Sequence, residues 1–156
     1  PYMQASPDKA REYGVKALNH ALAGVQGTTA VHICFGYAAL VQNRPSGYDF
    51  LPELAACSCQ QVSIETAQSK LDCSILTRLG NKKIMVGCLD LSDMQVETPE
   101  VVVQRIRNAL QYIPPEQIIL APDCGMKYLP RDVAYGKLAA MVAAARLLRQ
   151  EYGAAG

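Results

Sequence analysis

The feature that most limits the fold of this chain is a set of four short apolar runs, separated by longer segments with helical spacing. The runs are rich in β-branched and apolar residues, which is typical of buried strands. They begin at Val31, Gln60, Ile84 and Gln117, roughly 25 to 35 residues apart. This spacing fits right-handed strand–helix–strand units on a parallel sheet, whose strands are covered on both faces and therefore lack polar alternation.

The segments between the runs carry helix signals. Ser6-Pro7-Asp8 and Thr98-Pro99-Glu100 each combine a capping hydroxyl, a proline in the first turn and an acid near the positive end of the helix dipole. Apolar residues at helical spacing predict helices around 7–25, 49–56, 71–79, 99–110 and 138–148. We therefore expect an α/β protein in which residues 1–156 form a single unit of four βα repeats.

Size and charge favour some partners over others. The 156 residues can bury a substantial core, and a net charge of +1 favours neither nucleic acid nor an anionic membrane as a partner. No apolar run approaches the ~20 residues of a membrane span. Because no basic-then-apolar leader is visible, we expect a cytoplasmic protein with small-molecule partners. In that setting the six cysteines are expected to be reduced thiols or metal ligands.

Four residues form a candidate metal site. His32 and Cys34 are two apart in the first run, so they project to the same side of a strand. Glu65 ends the second run and Cys124 follows the fourth. Because the carboxyl ends of parallel strands gather at one edge, where function concentrates, all four could reach one ion. Two sulfurs, one nitrogen and one oxygen suit tetrahedral zinc.

The alternative is that these four are unrelated core or loop residues. The other cysteines are less suited to the site. Cys57-x-Cys59 precedes the second strand and so lies at the opposite edge, Cys73 falls in a predicted helix, and Cys88 is in the middle of a strand and is expected to pack. Three basic residues follow Cys124: Lys127, Arg131 and Lys137. They would either contact a substrate carboxylate or form a solvated basic face. We favour the solvated face.

Three segments resemble the zinc-ligand segments of the cobalamin-independent methionine synthase family. They are His32-Ile33-Cys34, Ser63-Ile64-Glu65-Thr66 and Pro122-Asp123-Cys124-Gly125, in the family's order and at similar separations. The resemblance implies a TIM-type (β/α)8 barrel, of which these four strands would be the second half. It also implies that His32, Cys34, Glu65 and Cys124 bind Zn²⁺.

The chemistry that the resemblance implies is methyl transfer from a folate to the sulfur of homocysteine, giving methionine. A thiol bound to Zn²⁺ loses its proton and becomes a nucleophile. Glu65 would be the weakest ligand, because carboxylate matches this metal least well, and so the one that a substrate thiolate displaces. Asp90 also matches the family and would have an acid–base or orienting role. Glu65 and Asp90 are therefore the candidate catalytic residues.

One departure leaves the donor open. Ser92 stands where the methionine synthases carry a histidine thought to handle a proton. Asp90 itself has an alternative interpretation as a loop-capping aspartate. An alternative function keeps the metal centre but uses another electrophile, as in zinc-dependent epoxide–coenzyme M transferases. A third is a non-catalytic fragment with a structural zinc.

Four strands cannot close a parallel barrel, which needs about eight. We therefore expect either a missing half-barrel, a second copy of the chain, or an open sheet. Of these we favour a piece of a longer enzyme.

Overall fold

The computed structural model describes residues 6–36, 48 and 50–153. Its centre is one sheet of four parallel strands in the sequential order β1-β2-β3-β4. The strand bounds are Ala30–Ile33 for β1, Gln61–Glu65 for β2, Lys83–Leu89 for β3 and Ile118–Pro122 for β4. The α/β class and the parallel βα arrangement are confirmed, and the sequential order is that of half a (β/α)8 barrel.

The helices lie before, between and after the strands. The first, α1, runs through Pro7–Lys9, a π-helical turn Ala10–Gly14, and Val15–Leu22. The two later α-helices are α2, Pro99–Leu110, which Thr98 caps as predicted, and α3, Arg131–Tyr152. Three 3-10 helices complete the described elements: Leu51–Ala56, Cys73–Leu79 and Pro115–Gln117. No helix of the described residues is long and apolar enough to cross a membrane.

The segment expected to be helical over 71–79 is instead a 3-10 helix of seven residues, Cys73–Leu79. Turns occupy the start of this connection, and Lys70 adopts a left-handed conformation with φ 48°. The Asp72 side chain then accepts the Ser74 N–H, a local bond that fixes the start of the short helix. Position 49 of the helix expected over 49–56 lies outside the described residues; the rest of that segment is the 3-10 helix Leu51–Ala56.

The two faces of the sheet differ in burial. Alternate residues in register across β1, β2 and β3 are buried in the core that the helices cover: Val31, Ile33, Val62, Ile64, Ile84 and Val86. The opposite face carries another row in register, which is His32, Ser63, Met85 and Ile119. On this face His32 is exposed and Met85 and Ile119 are only partly buried. The helices thus cover one face, and the candidate ligands lie on the other.

Candidate metal centre

Three of the four candidate ligands converge at the carboxyl edge of the sheet. One ligand atom from each of His32, Cys34 and Cys124 lies within 4.8 Å of the other two. Two come from the end of β1 and the third from the turn after β4, at opposite ends of the strand order. Only a curved sheet brings these two strand ends together, so the fold builds the site before any ion binds.

The donor set fits zinc. In a tetrahedral site with zinc–sulfur bonds of about 2.3 Å and zinc–nitrogen bonds of about 2.0 Å, ligand atoms lie about 3.5 to 3.8 Å apart. A cluster within 4.8 Å therefore needs only a small contraction. One imidazole and two thiols are ligands that Zn²⁺ prefers, and three protein ligands are the number found in catalytic zinc sites.

The His32 ring is oriented by its neighbour across the ladder. Nδ1 of His32 lies 2.8 Å from Oγ of Ser63, its register partner on β2. With Nδ1 protonated and donating to Ser63, Nε2 carries the lone pair that a metal needs. One side of the ring reaches solvent, yet partial burial lowers the pKa of His32. The lowered pKa favours the neutral imidazole that a metal needs, and the contact with Ser63 fixes the orientation of the ring.

The Cys34 thiol is held by the turn that leaves β1. Sγ accepts the backbone N–H of Gly36 at 3.2 Å. Gly36 has φ 91°, a conformation that side-chain-bearing residues rarely adopt. This glycine lets the chain fold back so that its amide faces the sulfur and holds the Cys34 side chain in place.

The Cys124 thiol is half-buried beside Cys34. Burial is the main cause that raises the pKa of Cys124 to about 11, and the nearby Cys34 and Glu65 add to it. Two thiols and a carboxylate in one place repel as anions, so the cluster favours a cation that all three could share.

Glu65 lies next to this cluster but outside the three-residue group. Its carboxylate is fully buried, and Oε1 accepts the Phe35 N–H at 3.1 Å. Phe35 follows Cys34 directly, so this bond holds the Glu65 side chain against the chain that carries the ligand. Its ligation remains a prediction, and its negative charge adds to the burial that raises the pKa of Cys124.

Asp123, which precedes Cys124, ties the end of β4 to the turn after β2. Its carboxylate accepts the backbone N–H groups of Thr66, Ala67 and Gln68 at 3.2, 3.1 and 2.7 Å. Burial raises the pKa of Asp123 to about 7 against these hydrogen bonds. The bonds fix the Cys124 backbone relative to the residues that follow Glu65.

Asp90 lies in the loop after β3, where its Oδ1 accepts the N–H and the hydroxyl of Ser92 at 2.8 and 2.6 Å. This is the geometry of a loop-capping aspartate, and it leaves Oδ2 for other contacts. Asp90 also lines a cleft of about 300 Å³ with Thr66, Lys70, Arg105 and others. Its catalytic role remains a prediction.

Lys137 corrects one expectation. It is 0% exposed, so the prediction that Lys137 belongs to a solvated basic face is wrong. Its Nζ donates to the carbonyls of Asp90 and Gln95 and to Glu97 Oε2, at 2.9, 2.7 and 2.8 Å. Glu97 also binds Arg105 at 2.9 Å. The buried ammonium thus fastens the loop that carries Asp90.

The remaining cysteines do not join the cluster. Cys57, Cys59, Cys73 and Cys88 are all buried. Cys88 lies within β3, with Sγ 3.3 Å from the Ala121 carbonyl, so the expectation that it packs is confirmed. Burial and the adjacent Cys57 raise the pKa of Cys59 to about 11, which disfavours thiolate chemistry there.

Sequence patterns did not indicate three supporting residues: Ser63, Tyr48 and Asp123. Ser63 could have been found from the ladder register, because His32 and Ser63 are direct neighbours on one face. Tyr48 and Asp123 act through hydrogen bonds to backbone atoms far away in sequence. Such bonds leave no periodic signal.

Comparisons with known proteins agree with this architecture. The sequence model for "Cobalamin-independent synthase, Catalytic domain" matches residues 1–147. A methionine synthase from Pyrococcus horikoshii is 32% identical over 152 residues, covering 97% of this chain and 42% of that protein. A methionine synthase from Saccharolobus solfataricus is 33% identical over 142 residues, covering 89% and 40%. This chain thus spans about two fifths of the length of these relatives.

A solved structure has the same fold over nearly the whole chain. The B12-independent methionine synthase from Shewanella sp. W3-18-1 superposes with a TM-score of 0.86 at 30% identity, covering 95% of this chain and 46% of that one. The family resemblance carried by the three ligand segments is thereby confirmed. The chain belongs to the cobalamin-independent synthase catalytic-domain family, that of the B12-independent methionine synthases.

Proposed function

We propose that this chain forms the zinc-binding half of an enzyme that transfers a methyl group to the thiol of homocysteine, producing methionine. The observation that carries the proposal is the convergence of His32, Cys34 and Cys124 to within 4.8 Å at the carboxyl edge of a parallel sheet. Family membership supports the reaction, and the Shewanella relative was solved with selenomethionine, a close analogue of the proposed product.

Zinc held by His32, Cys34 and Cys124 would lower the pKa of the homocysteine thiol and keep the thiolate nucleophilic at neutral pH. Two contacts within this chain prepare the ligands for the metal. Ser63 orients the His32 ring, and the Gly36 amide holds Cys34 Sγ. The transfer forms a carbon–sulfur bond and breaks the bond from the methyl carbon to the donor, whose leaving atom must gain a proton.

We propose Glu65 as the fourth ligand in the resting enzyme and as the ligand that the substrate thiolate displaces. Its carboxylate is buried at the cluster and held through Oε1 by the Phe35 amide. Carboxylate oxygen is the hardest donor of the set, so it is the one that a substrate sulfur replaces most readily.

Asp90 is the residue we propose for acid–base or orienting work near the donor. Ser92 is bonded to Asp90 Oδ1 through both its amide and its hydroxyl. The pair therefore acts as one unit at the end of β3. Because a serine cannot shuttle protons as an imidazole does, the identity of the donor is the part of this function that needs a direct assay.

The open face and the two edges of the sheet support assembly with a further half-barrel. In the described residues, β1 and β4 each pair on one side only. The row that holds His32 leaves Met85 and Ile119 partly exposed. We propose that strands from the missing half, or from a second copy, cover this face and close the barrel.

The metal site is tested by metal analysis of the full-length protein. We expect one zinc per chain in the wild type, loss of zinc in Cys124→Ser, and retention in the control Cys73→Ala, which alters a buried thiol away from the cluster. X-ray absorption should then show an added sulfur neighbour when homocysteine is supplied. An unchanged coordination shell would favour a structural zinc instead.

The donor is tested by product analysis. Full-length protein is incubated with homocysteine and a methyl-folate, and in parallel with coenzyme M and a small epoxide. Methionine in the first reaction supports the proposal. An S-alkyl product only in the second would assign the chain to the alternative class of thiol alkyltransferase.

A further inference from the structure

The Tyr48 side chain bridges β1 and β2 at their carboxyl ends. Its hydroxyl donates to the Ile33 carbonyl at 3.0 Å and accepts the Glu65 N–H at 2.8 Å. The side chain is 2% exposed. One phenol oxygen therefore joins the last residue of β1 to the last residue of β2.

The register shows where this oxygen lies. At the start of the ladder, the Thr29 carbonyl accepts the Gln61 N–H at 3.1 Å. In a parallel ladder this bond recurs every two residues on both strands. Continued to the other end, the repeat reaches the Ile33 carbonyl and the Glu65 N–H, and these are the two groups that the phenol oxygen of Tyr48 contacts. Tyr48 therefore fastens the last rung of the ladder, where Ile33 pairs with Ile64.

The position of this bridge matters because both strand ends carry candidate ligands. Ile33 immediately precedes Cys34, and Glu65 is the proposed fourth ligand. Just past the bridge, the Phe35 N–H donates to Glu65 Oε1. The Phe35 ring stacks on Tyr48, with centroids 4.4 Å apart. Tyr48 thus contacts the chain on both sides of Cys34 as well as the backbone of Glu65.

We propose that Tyr48 is a positioning residue for the metal centre: its hydroxyl joins the ends of β1 and β2 and so fixes the backbone that carries Cys34 relative to the backbone of Glu65. This inference rests on the proposed metal site. Tyr48 is not a proposed ligand and needs no contact with substrate. Burial, the largest cause, raises its pKa well above the ordinary value, so the hydroxyl keeps the proton that it donates to Ile33.

The test is Tyr48→Phe in the full-length protein, which keeps the ring that stacks on Phe35 and removes only the bridging oxygen. The matched control is Tyr135→Phe, because Tyr135 is 76% exposed on α3. Zinc affinity is measured by competition with a chromophoric chelator. The visible spectrum of the protein loaded with Co²⁺ reports the ligand geometry independently of activity.

We expect Tyr48→Phe to bind zinc about 10- to 100-fold more weakly, the usual cost of losing a partner that orients a ligand. Its Co²⁺ spectrum should shift, while Tyr135→Phe matches the wild type in both. Loss of thermal stability alone, with unchanged affinity and spectrum, would show that Tyr48 only packs and would overturn the proposal. If Tyr48→Phe is unfolded without metal, the zinc concentration that restores folding gives the same affinity comparison.

The two levels of inference fail differently. A wild-type protein that binds neither zinc nor Co²⁺ would refute the proposed metal site and this inference with it. A wild-type protein that binds metal, with a Tyr48→Phe variant that binds it identically, would refute the inference and leave the proposed function standing.

Discussion

The Asp123 side chain passes directly over Gly87 of the neighbouring strand to reach the turn after β2. A Cβ on Gly87 would overlap Asp123 Oδ1 and come within 2.7 Å of the Ile64 carbonyl. The Thr66 hydroxyl also donates to the Gly87 carbonyl at 2.6 Å. The absence of a side chain at position 87 is therefore what allows the ends of β2 and β4 to be joined above β3.

Replacing Gly87 with alanine should destabilise the fold and loosen the metal site. The new methyl group must displace Asp123, which carries Cys124 with it, and overpacking of this kind costs about 1–3 kcal/mol. We expect a loss at the upper end of that range in the free energy of unfolding, measured by urea denaturation of the metal-free protein, together with weaker zinc binding.

A matched control for this substitution is Gly136→Ala on α3. There a Cβ meets only the end of the Val96 side chain, at 3.0 Å, and alanine favours the helix. Equal effects of the two substitutions would argue against a special role for the space above Gly87.

Ser63→Ala should weaken zinc binding with little effect on the fold. The variant removes the oxygen 2.8 Å from His32 Nδ1, so the ring loses its fixed orientation. Loss of such a partner typically lowers metal affinity about 10- to 100-fold. Chelator competition measures the change, and Thr77→Ala, at an exposed position of the 3-10 helix Cys73–Leu79, serves as the control. Unchanged affinity would mean that the imidazole is held by other contacts.

Much of this site could be predicted because two simple rules place it. Residues two apart on a strand share a face, which puts His32 beside Cys34, and parallel strands end at the same edge, which places Cys124 at that edge. The curvature of the sheet, which brings the ends of the outer strands β1 and β4 together, does not follow from these rules. Tyr48 could not be predicted, since its hydroxyl bonds to the backbone of Ile33 and Glu65, 15 and 17 residues away in sequence, and such bonds leave no periodic signal.

Lys137 shows how a charged residue can mislead. It lies at helical spacing with Ala140, Ala144 and Leu148, all of which are buried on one face of α3. This spacing by itself would put Lys137 on the buried face, whereas the usual preference of lysine for solvent predicts an exposed side chain. What reverses the preference is Glu97 with two carbonyl groups, 40 to 47 residues away in sequence.

Glu97→Gln should destabilise the protein at neutral pH and much less in acid. Burial opposes ionisation of Glu97, but hydrogen bonds from Lys137, the Asp90 amide and Arg105 outweigh it and lower the pKa below the usual value of 4.5. A carboxylate with a depressed pKa contributes stability above its unfolded pKa and loses it as the pH falls through its folded pKa.

The size of this effect follows from the burial of Lys137, which is 0% exposed. Removing one partner of a buried ion pair costs about 3–5 kcal/mol, and we expect the lower end because glutamine still accepts a hydrogen bond. Urea unfolding of metal-free protein at pH 7 and below pH 4 measures the change, with the exposed Glu116→Gln as control. A difference from the wild type that stays constant between these pH values would mean that the charge of Glu97 does not hold Lys137. In that case the hydrogen bonds from Lys137 to the Asp90 and Gln95 carbonyls, and not the ion pair with Glu97, would hold Lys137 to the loop that carries Asp90.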